Sequence, residues 1–568
     1  MRREVERLGD RQFDVLVIGG GAAGAATARE ACLRGFNTAL IEREDFGGGT
    51  SAHCFKVVHG GIRYVQHADV ARTRASCRER AVFLRIAPHL VAPMSFAIPT
   101  YGHGASGRAF LGAGMLLYDA ITLGCNLHVK DPARRVQRTR FMGRAETLKL
   151  FPALEGRHLT GAAVFEDGQM YNPPRLVLAF VAAADELGAT VANYVEAEQL
   201  ISDGTRVKGV SAIDRLDGSR FDIRARLVIN AAGPWTEQLL QSLGESPHPP
   251  GTYSRDACLV VSRKMESPMA LAVLGHTKDA DSFLARSARH LFLVPWRHMT
   301  LVGVWHRVVP REPDAVTLPR SEMREFLDEL NACYPALQLQ ESEVEMAGFG
   351  LVPFGDAARQ RNGFSFGKQS QIVDHRERGV SGLVSLISVR YTVARRDAVA
   401  VMESAIEQLG RRIAINDSDR RPLPGGAIED FHAFARDVAA RRPQWMSRGA
   451  ADQLIRNYGT RAMRVLALAE REPALRRCLR GSNVSCAEIA YAVREEMAER
   501  MTDIVFRRTE LGTAGHPGDD ALEDLQEFLR VELGWTERRI GQERAAVERH
   551  LERYLAAIRP RLSLLRSA

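Results

Sequence analysis

Phe13-Asp14-Val15-Leu16-Val17-Ile18-Gly19-Gly20-Gly21-Ala22-Ala23-Gly24 leads into the alanine-rich stretch Ala25 to Arg34, then Gly35, then Thr38-Ala39-Leu40-Ile41-Glu42. The first apolar run reads as a strand and the glycines as a turn. The alanine-rich stretch reads as a helix that Gly35 ends, and the second apolar run as another strand. Within the turn, Gly19 allows the tight bend, Gly21 lets backbone approach a pyrophosphate, and Gly24 lets helix and strand pack closely. The helix N-terminus then offers free N–H groups and the positive end of its dipole to phosphate. Glu42 closes the second strand, where an acid accepts ribose hydroxyls. A glycine hexapeptide alone is weak evidence. In register with strand, helix and acid it means dinucleotide binding.

Composition sets the frame around this unit. The chain has 568 residues, enough for two or three domains, with 45% hydrophobic and 26% charged residues. No apolar run reaches the length of a membrane span, and the N-terminus lacks the apolar core of a signal peptide. Eight scattered cysteines form no C-x-x-C pair, so neither a disulfide framework nor a metal site is expected, and a cytoplasmic location follows. The net charge of +8 is spread along the chain without a nucleic-acid-binding module. A basic face resting on anionic lipid, or one drawing in an anionic substrate, is the better use; an arginine-rich composition without further meaning is the plain alternative. Arg421-Pro422-Leu423-Pro424-Gly425-Gly426 punctuates the chain like a linker. Beyond it the pattern is helical, which places the dinucleotide-binding region at 1–426 and a helical domain at 427–568.

A second stretch, Leu227-Val228-Ile229-Asn230-Ala231-Ala232-Gly233-Pro234-Trp235, resembles the late strand and turn of FAD-dependent oxidoreductases of the D-amino-acid oxidase type. The implied fold is α/β, with a Rossmann-type FAD-binding domain interleaved with an antiparallel-sheet substrate domain, followed by an all-α domain. Strands are also expected at 291–295 and 300–303.

Thr50-Ser51 followed by Lys56-Val57-Val58-His59-Gly60-Gly61-Ile62-Arg63-Tyr64 resembles the T-S-x-x-x-x-K-L-I-H-G-G-L-R-Y-L segment of the FAD-dependent, quinone-linked glycerol-3-phosphate dehydrogenases. Ala87-Pro88-His89-Leu90, Gly425-Gly426 and Phe506-Arg507-Arg508-Thr509 also resemble that family, so the likeness runs along nearly the whole chain. The resemblance implies that Thr50, Ser51, Lys56, Gly60, Gly233 and Thr392 contact FAD beside Gly19, Gly21, Gly24 and Glu42. It puts His59 next to the flavin and Arg63 and Tyr64 in the substrate pocket. Val389-Arg390-Tyr391-Thr392-Val393-Ala394-Arg395 resembles the family's G-K-L-T-T-Y-R with arginine for lysine, so Arg390 is a candidate for both cofactor and substrate.

Three positions depart from the family pattern. Val352 stands where a pocket arginine is expected, Cys258 where a histidine precedes I-V-V, and Val304-Trp305-His306 replaces T-T-D. Lys368 and His306 are candidates to restore the charge and the base. Glu42 to His53 also resembles the segment of dimethylglycine and sarcosine dehydrogenases whose histidine is bonded to the flavin 8α carbon. His53 packed against the ring or touching substrate, with FAD held non-covalently, is the expected alternative.

The implied reaction is oxidation of a secondary alcohol, glycerol 3-phosphate to dihydroxyacetone phosphate, with electrons passed to a quinone at the inner face of the cell membrane. The departures keep open another hydroxy or amine substrate, or a non-catalytic flavoprotein. The apolar stretch Phe110 to Tyr118 could enter a membrane interface, although a buried helix is the commoner fate of such a run.

Overall fold

β1 (Gln12–Ile18) runs parallel to its neighbours on both sides, β2 (Thr38–Ile41) and β3 (Arg220–Asn230). Such a strand is covered on both faces, which is why Val15 to Ile18 are apolar without a break and all buried. Between β1 and β2, α1 (Ala22–Leu33) starts inside the glycine hexapeptide, earlier than the expected Ala25. The early start is possible because Gly24 has no side chain: a Cβ there would overlap the Gly19 carbonyl oxygen. Ala25, Ala28 and Ala31 are fully buried, and Gly35, at φ +77°, takes the chain out of the helix. The computed structural model describes residues 1–65, 69–102, 107–243, 252–278, 288–309, 313–355, 370–410 and 417–555.

Two sheets share the chain by turns. The first has the order 371–374, 383–387, β3, β1, β2, 190–192, with the hairpin strands 195–202 and 207–214 added on β3. The second begins with β4 (Thr252–Val261), flanked by β5 (Met299–Val309) and β6 (Val344–Gly355). It continues through 288–296, 270–278, 91–101 and 159–170 to 57–58, and its pairs are antiparallel except where 270–278 meets 91–101. The chain crosses from one sheet to the other after β2 and returns, so the two subdomains are interleaved. The strands expected at 291–295 and 300–303 lie in 288–296 and β5 and pair as expected.

From Phe431 onward the described elements are helices around a core that includes Leu454, Val465, Ile489, Leu525 and Phe528. The last is α3 (Glu537–Leu555). The segment read as a linker is a packed seam instead: Leu423 is buried, and a Cβ on Gly425 or Gly426 would overlap the carbonyl oxygens of Tyr458 or Ile86. Buried ion pairs tie the helices to the first sheet. Asp45 accepts from Arg508 Nη1 at 2.6 Å and Nη2 at 2.8 Å, and also from Arg507. Asp503 accepts from Arg507 and from the Tyr194 hydroxyl, while Glu496 accepts from both Nη atoms of Arg175.

The buried-helix expectation for Phe110 to Tyr118 fails. α2 (Arg108–Ile121) buries Met115 and Tyr118 but leaves Phe110 58%, Leu116 72% and Leu117 50% exposed. Only one stripe of a helix lying on a sheet can be covered, and here the apolar residues spread beyond that stripe.

Three buried histidines make the fold sensitive to acid. Burial, reinforced by nearby arginines, pushes His89 and His550 down to about 3. His53 also lies well below its ordinary value, through burial and then the charges of His550, Lys56, Arg553 and Arg507. At these three sites the unfolded chain therefore takes up protons first as pH falls. Their contribution to stability is full above about pH 7 and is lost from about pH 6.5 downward, by about 1.4 kcal/mol per histidine per pH unit. Denaturation midpoints should fall less steeply between about pH 6.5 and 5 in His89→Gln than in the wild type; equal slopes would contradict this account.

Candidate functional site

A cavity of 1850 Å³ runs from the glycine turn to the second sheet. At one end it is lined by Gly19, Gly21 and Ala22, with Glu42 and Gly233 to Trp235 beside them. Glu42 accepts the backbone N–H groups of Gly20 at 2.6 Å and Glu44 at 3.0 Å, which fixes the carboxylate at the end of β2. Burial raises its pKa. The Ser51 hydroxyl accepts from Ala22 N–H at 3.0 Å, joining the 50–53 loop to the start of α1. A Cβ on Gly21 would meet only the Ser51 hydroxyl, at 3.3 Å, so this glycine leaves space on the cavity side rather than relieving a backbone clash. A helix N-terminus opening onto such space, with an acid fixed beside it, fits the pyrophosphate and ribose of a dinucleotide.

One group here escaped the sequence reading. Arg43 lies 4.3 Å from the Trp235 ring, and Asp314 accepts from both Arg43 and the Trp235 indole N–H at 3.0 Å. These three border the cavity beside Glu42. Trp235 stood in a quoted motif, but its partner Asp314 carried no local signal.

At the other end His59, Tyr64, Arg390, Thr392 and His306 line the same cavity. Arg390 Nη1 donates to the Tyr64 hydroxyl at 3.0 Å and to Ser76 at 3.2 Å, while its buried Nε has no hydrogen-bond partner among the described residues. The His59 ring meets Tyr64 edge-on at 6.0 Å, and the His59 backbone N–H donates to Thr392 Oγ1 at 3.2 Å. The segment is braced from behind: Asp167 accepts the Gly60 N–H and Arg80 Nη1, both at 2.6 Å. Arg80 also donates to the hydroxyl of Tyr118 on α2 at 2.9 Å. Phe96, Phe165 and Phe292 add apolar wall.

Several expected site residues stand elsewhere. Lys56 does not line this cavity; it is buried with Nζ 4.9 Å from the Trp296 ring. Gly60 packs against Tyr118 and Arg80, so it shapes the loop without facing the cavity. Gly24 lies beneath the turn, packed on Gly19. Arg395 points away and is bound to Glu79 and Ser418. Trp305 stacks on Phe326 at 5.2 Å in the core, so its departure from the family pattern concerns packing. Cys258, Val352, Thr50, Ser51 and His53 do line the cavity. The Arg63 side chain and Lys368 lie outside the described residues.

Residues 14–383 match the family model described as FAD dependent oxidoreductase, and residues 417–540 match the C-terminal domain of alpha-glycerophosphate oxidase. The glycerol-3-phosphate dehydrogenase of Synechocystis sp. is 28% identical over 97% of this chain and 98% of its own. The mitochondrial glycerol-3-phosphate dehydrogenase of Homo sapiens is 29% identical over 92% of this chain and 71% of its own. The solved structure of the glycerol-3-phosphate dehydrogenase from Bacillus halodurans complexed with FAD shares the fold, with a TM-score of 0.73 over 97% of both chains at 23% identity.

Proposed function

The chain belongs to the FAD-dependent oxidoreductase family, and from that premise we propose that it oxidises glycerol 3-phosphate to dihydroxyacetone phosphate and passes the electrons to a quinone. The observation that carries this reading is the single cavity joining the glycine turn to Arg390, Tyr64 and two histidines. A permanent cation with an unpartnered buried donor suits an anionic substrate group. Gly19, Gly21, Glu42, Thr50, Ser51, Gly233 and Thr392 would hold FAD, with Gly24 supporting the turn from below.

Bound FAD supplies the acceptor for the hydride that leaves the carbinol carbon. Arg390 holds the anionic group, and the Tyr64 hydroxyl, oriented by Arg390, positions the alcohol. His306 takes the hydroxyl proton, and His59 lines the same cavity. The phenylalanine wall keeps water away from the developing charge. The test is anaerobic bleaching of the flavin by glycerol 3-phosphate, with glycerol, hydroxy acids and amines in parallel. Bleaching by a neutral alcohol or an amine, and not by glycerol 3-phosphate, would overturn the substrate. That second reading has Val352 in its favour, where a pocket arginine is expected.

Arg390→Ala should raise the KM for glycerol 3-phosphate about tenfold or more, since one charge-assisted contact contributes about 1.5–3 kcal/mol. Turnover of glycerol itself should hardly change. Equal loss on both substrates would show that Arg390 does not bind the anion.

No helix among the described residues is long and apolar enough to cross a membrane. The exposed apolar face of α2 supports contact with a membrane surface, where a quinone would be reached. Leu116→Glu/Leu117→Glu should abolish cosedimentation with anionic vesicles and leave turnover of a soluble electron acceptor intact. Unchanged cosedimentation would remove α2 from that role.

A further inference from the structure

Two of the departures from the family pocket, Cys258 and Val352, lie on β4 and β6, and the last helix packs against β6. α3 runs beyond residue 540, where the match to the C-terminal family model stops. Its last turn carries Arg553 and Tyr554, and both line the cavity with Cys258, Phe349 and Val352. Tyr554 stacks on His53 at 3.9 Å with 23° between the rings, and lies 5.2 Å from Phe349. Gly348 and Cys258 pack beside that stack: a Cβ on Gly348 would sit in ordinary contact, 3.7 Å from both Cys258 Sγ and His53 Nδ1. The Arg553 guanidinium lies 5.8 Å from the Phe349 ring and 5.9 Å from the Tyr554 ring.

The charge ledger of this wall is uneven. Arg507, on the same side, is held by Asp45 and Asp503. Among the described residues no carboxylate pairs with Arg553, whose contacts are the two aromatic rings. A phosphate group carries up to two charges and three acceptor oxygens, more than Arg390 alone satisfies. A guanidinium stacked on aromatic faces keeps its donors free and gives up little side-chain freedom on binding.

We infer that Arg553, delivered by the C-terminal helix, binds the anionic group of the substrate in place of the arginine missing at Val352. This rests on the proposed reading of the cavity as an alcohol-oxidising site for a phosphorylated polyol. The helical domain thereby contributes directly to substrate selection, which its place in the sequence does not suggest. His53 and Tyr554 act beneath it as the platform that sets the height of the last turn.

The test uses the full-length, FAD-loaded enzyme. In Arg553→Gln the KM for glycerol 3-phosphate should rise about tenfold or more, with kcat within about threefold and glycerol turnover unchanged. Arg553→Lys should restore part of the loss, as a point charge without the guanidinium fork. Titration with inorganic phosphate, followed by the flavin absorbance spectrum, gives a readout independent of turnover: the wild type should bind and Arg553→Gln should bind at least tenfold more weakly. If the wild type is not reduced by glycerol 3-phosphate, the substrate reading falls, and phosphate titration still decides whether Arg553 holds an anion. If the wild type is reduced but KM and phosphate affinity are unchanged in Arg553→Gln, the substrate reading stands and the role of Arg553 is overturned. If Arg553→Gln loses FAD, Arg553→Ala takes its place, and wild-type phosphate affinity in Arg553→Ala would equally overturn the role of Arg553.

Discussion

Arg508→Met should destabilise the protein by roughly 3–5 kcal/mol and loosen its hold on FAD at the same time. The Arg508 and Asp45 side chains are both fully buried. Taking such charges out of water is expensive, and the cost is met only while the pair and its hydrogen bonds are complete. Arg508 supplies two of the bonds to Asp45 and also donates to the carbonyl oxygens of Glu496 and Met497. Methionine fills the space but leaves Asp45 with Arg507 and Asn193 alone. Burial pushes the Asp45 pKa up, but the two arginines outweigh it and hold the group below the ordinary carboxylate range. Losing one of them moves that balance toward protonation or local opening. Asp45 lies in the loop between Glu42, at the ribose end, and Thr50-Ser51, at the turn. Opening there separates the two supports of the cofactor. The unfolding midpoint should drop by several degrees, and FAD should appear in a filtrate before the helices melt. Asp45→Asn should be comparable or worse, since it strands two buried arginines. An unchanged midpoint with full FAD retention in Arg508→Met would show that the ion pair is replaceable.

The same residues show what a sequence reader can and cannot see. The glycine turn and its acid were legible because their spacing is local: Gly19, Gly21, Gly24 and Glu42 follow one another within a single strand–turn–helix–strand unit whose spacing is set by backbone geometry. Tyr64 and Arg390 were found through family likeness and His306 as a departure from it, and the fold brings them to one cavity from three distant segments. The same likeness misplaced Lys56 and Trp305, because adjacent residues on a strand or bend face opposite ways and resemblance alone does not say which. Arg395, in the same quoted motif as Arg390, is consumed by Glu79, a partner no short window contains. The exposed face of α2 and the arrival of Arg553 were beyond reach for the same reason. Both depend on which surface another element leaves uncovered, and that is decided by contacts across hundreds of residues.

Two glycines in one hexapeptide should fail in opposite ways. Gly24 faces the strand: a Cβ there would overlap the Gly19 carbonyl oxygen, and its next neighbours are the Gly19 carbonyl carbon at 3.0 Å and Ala231 Cβ at 3.5 Å. All three belong to the turn and the adjoining strand end, so α1 must move off the sheet to admit a methyl group. Gly24→Ala should therefore cost more than roughly 4 kcal/mol, a severe defect, and the chain should accumulate in the insoluble fraction. Gly21 faces the cavity, and a Cβ there meets a single hydroxyl at a distance that a small shift relieves. Gly21→Val should fold, keep its helical circular dichroism and elute like the wild type, but without flavin absorbance, because the isopropyl group fills the space reserved for the pyrophosphate. The ratio of flavin to protein absorbance, set beside the soluble yield, separates the two cases. A yellow Gly21→Val, or a soluble Gly24→Ala with wild-type stability, would mean that the turn does not approach the cofactor as its geometry requires.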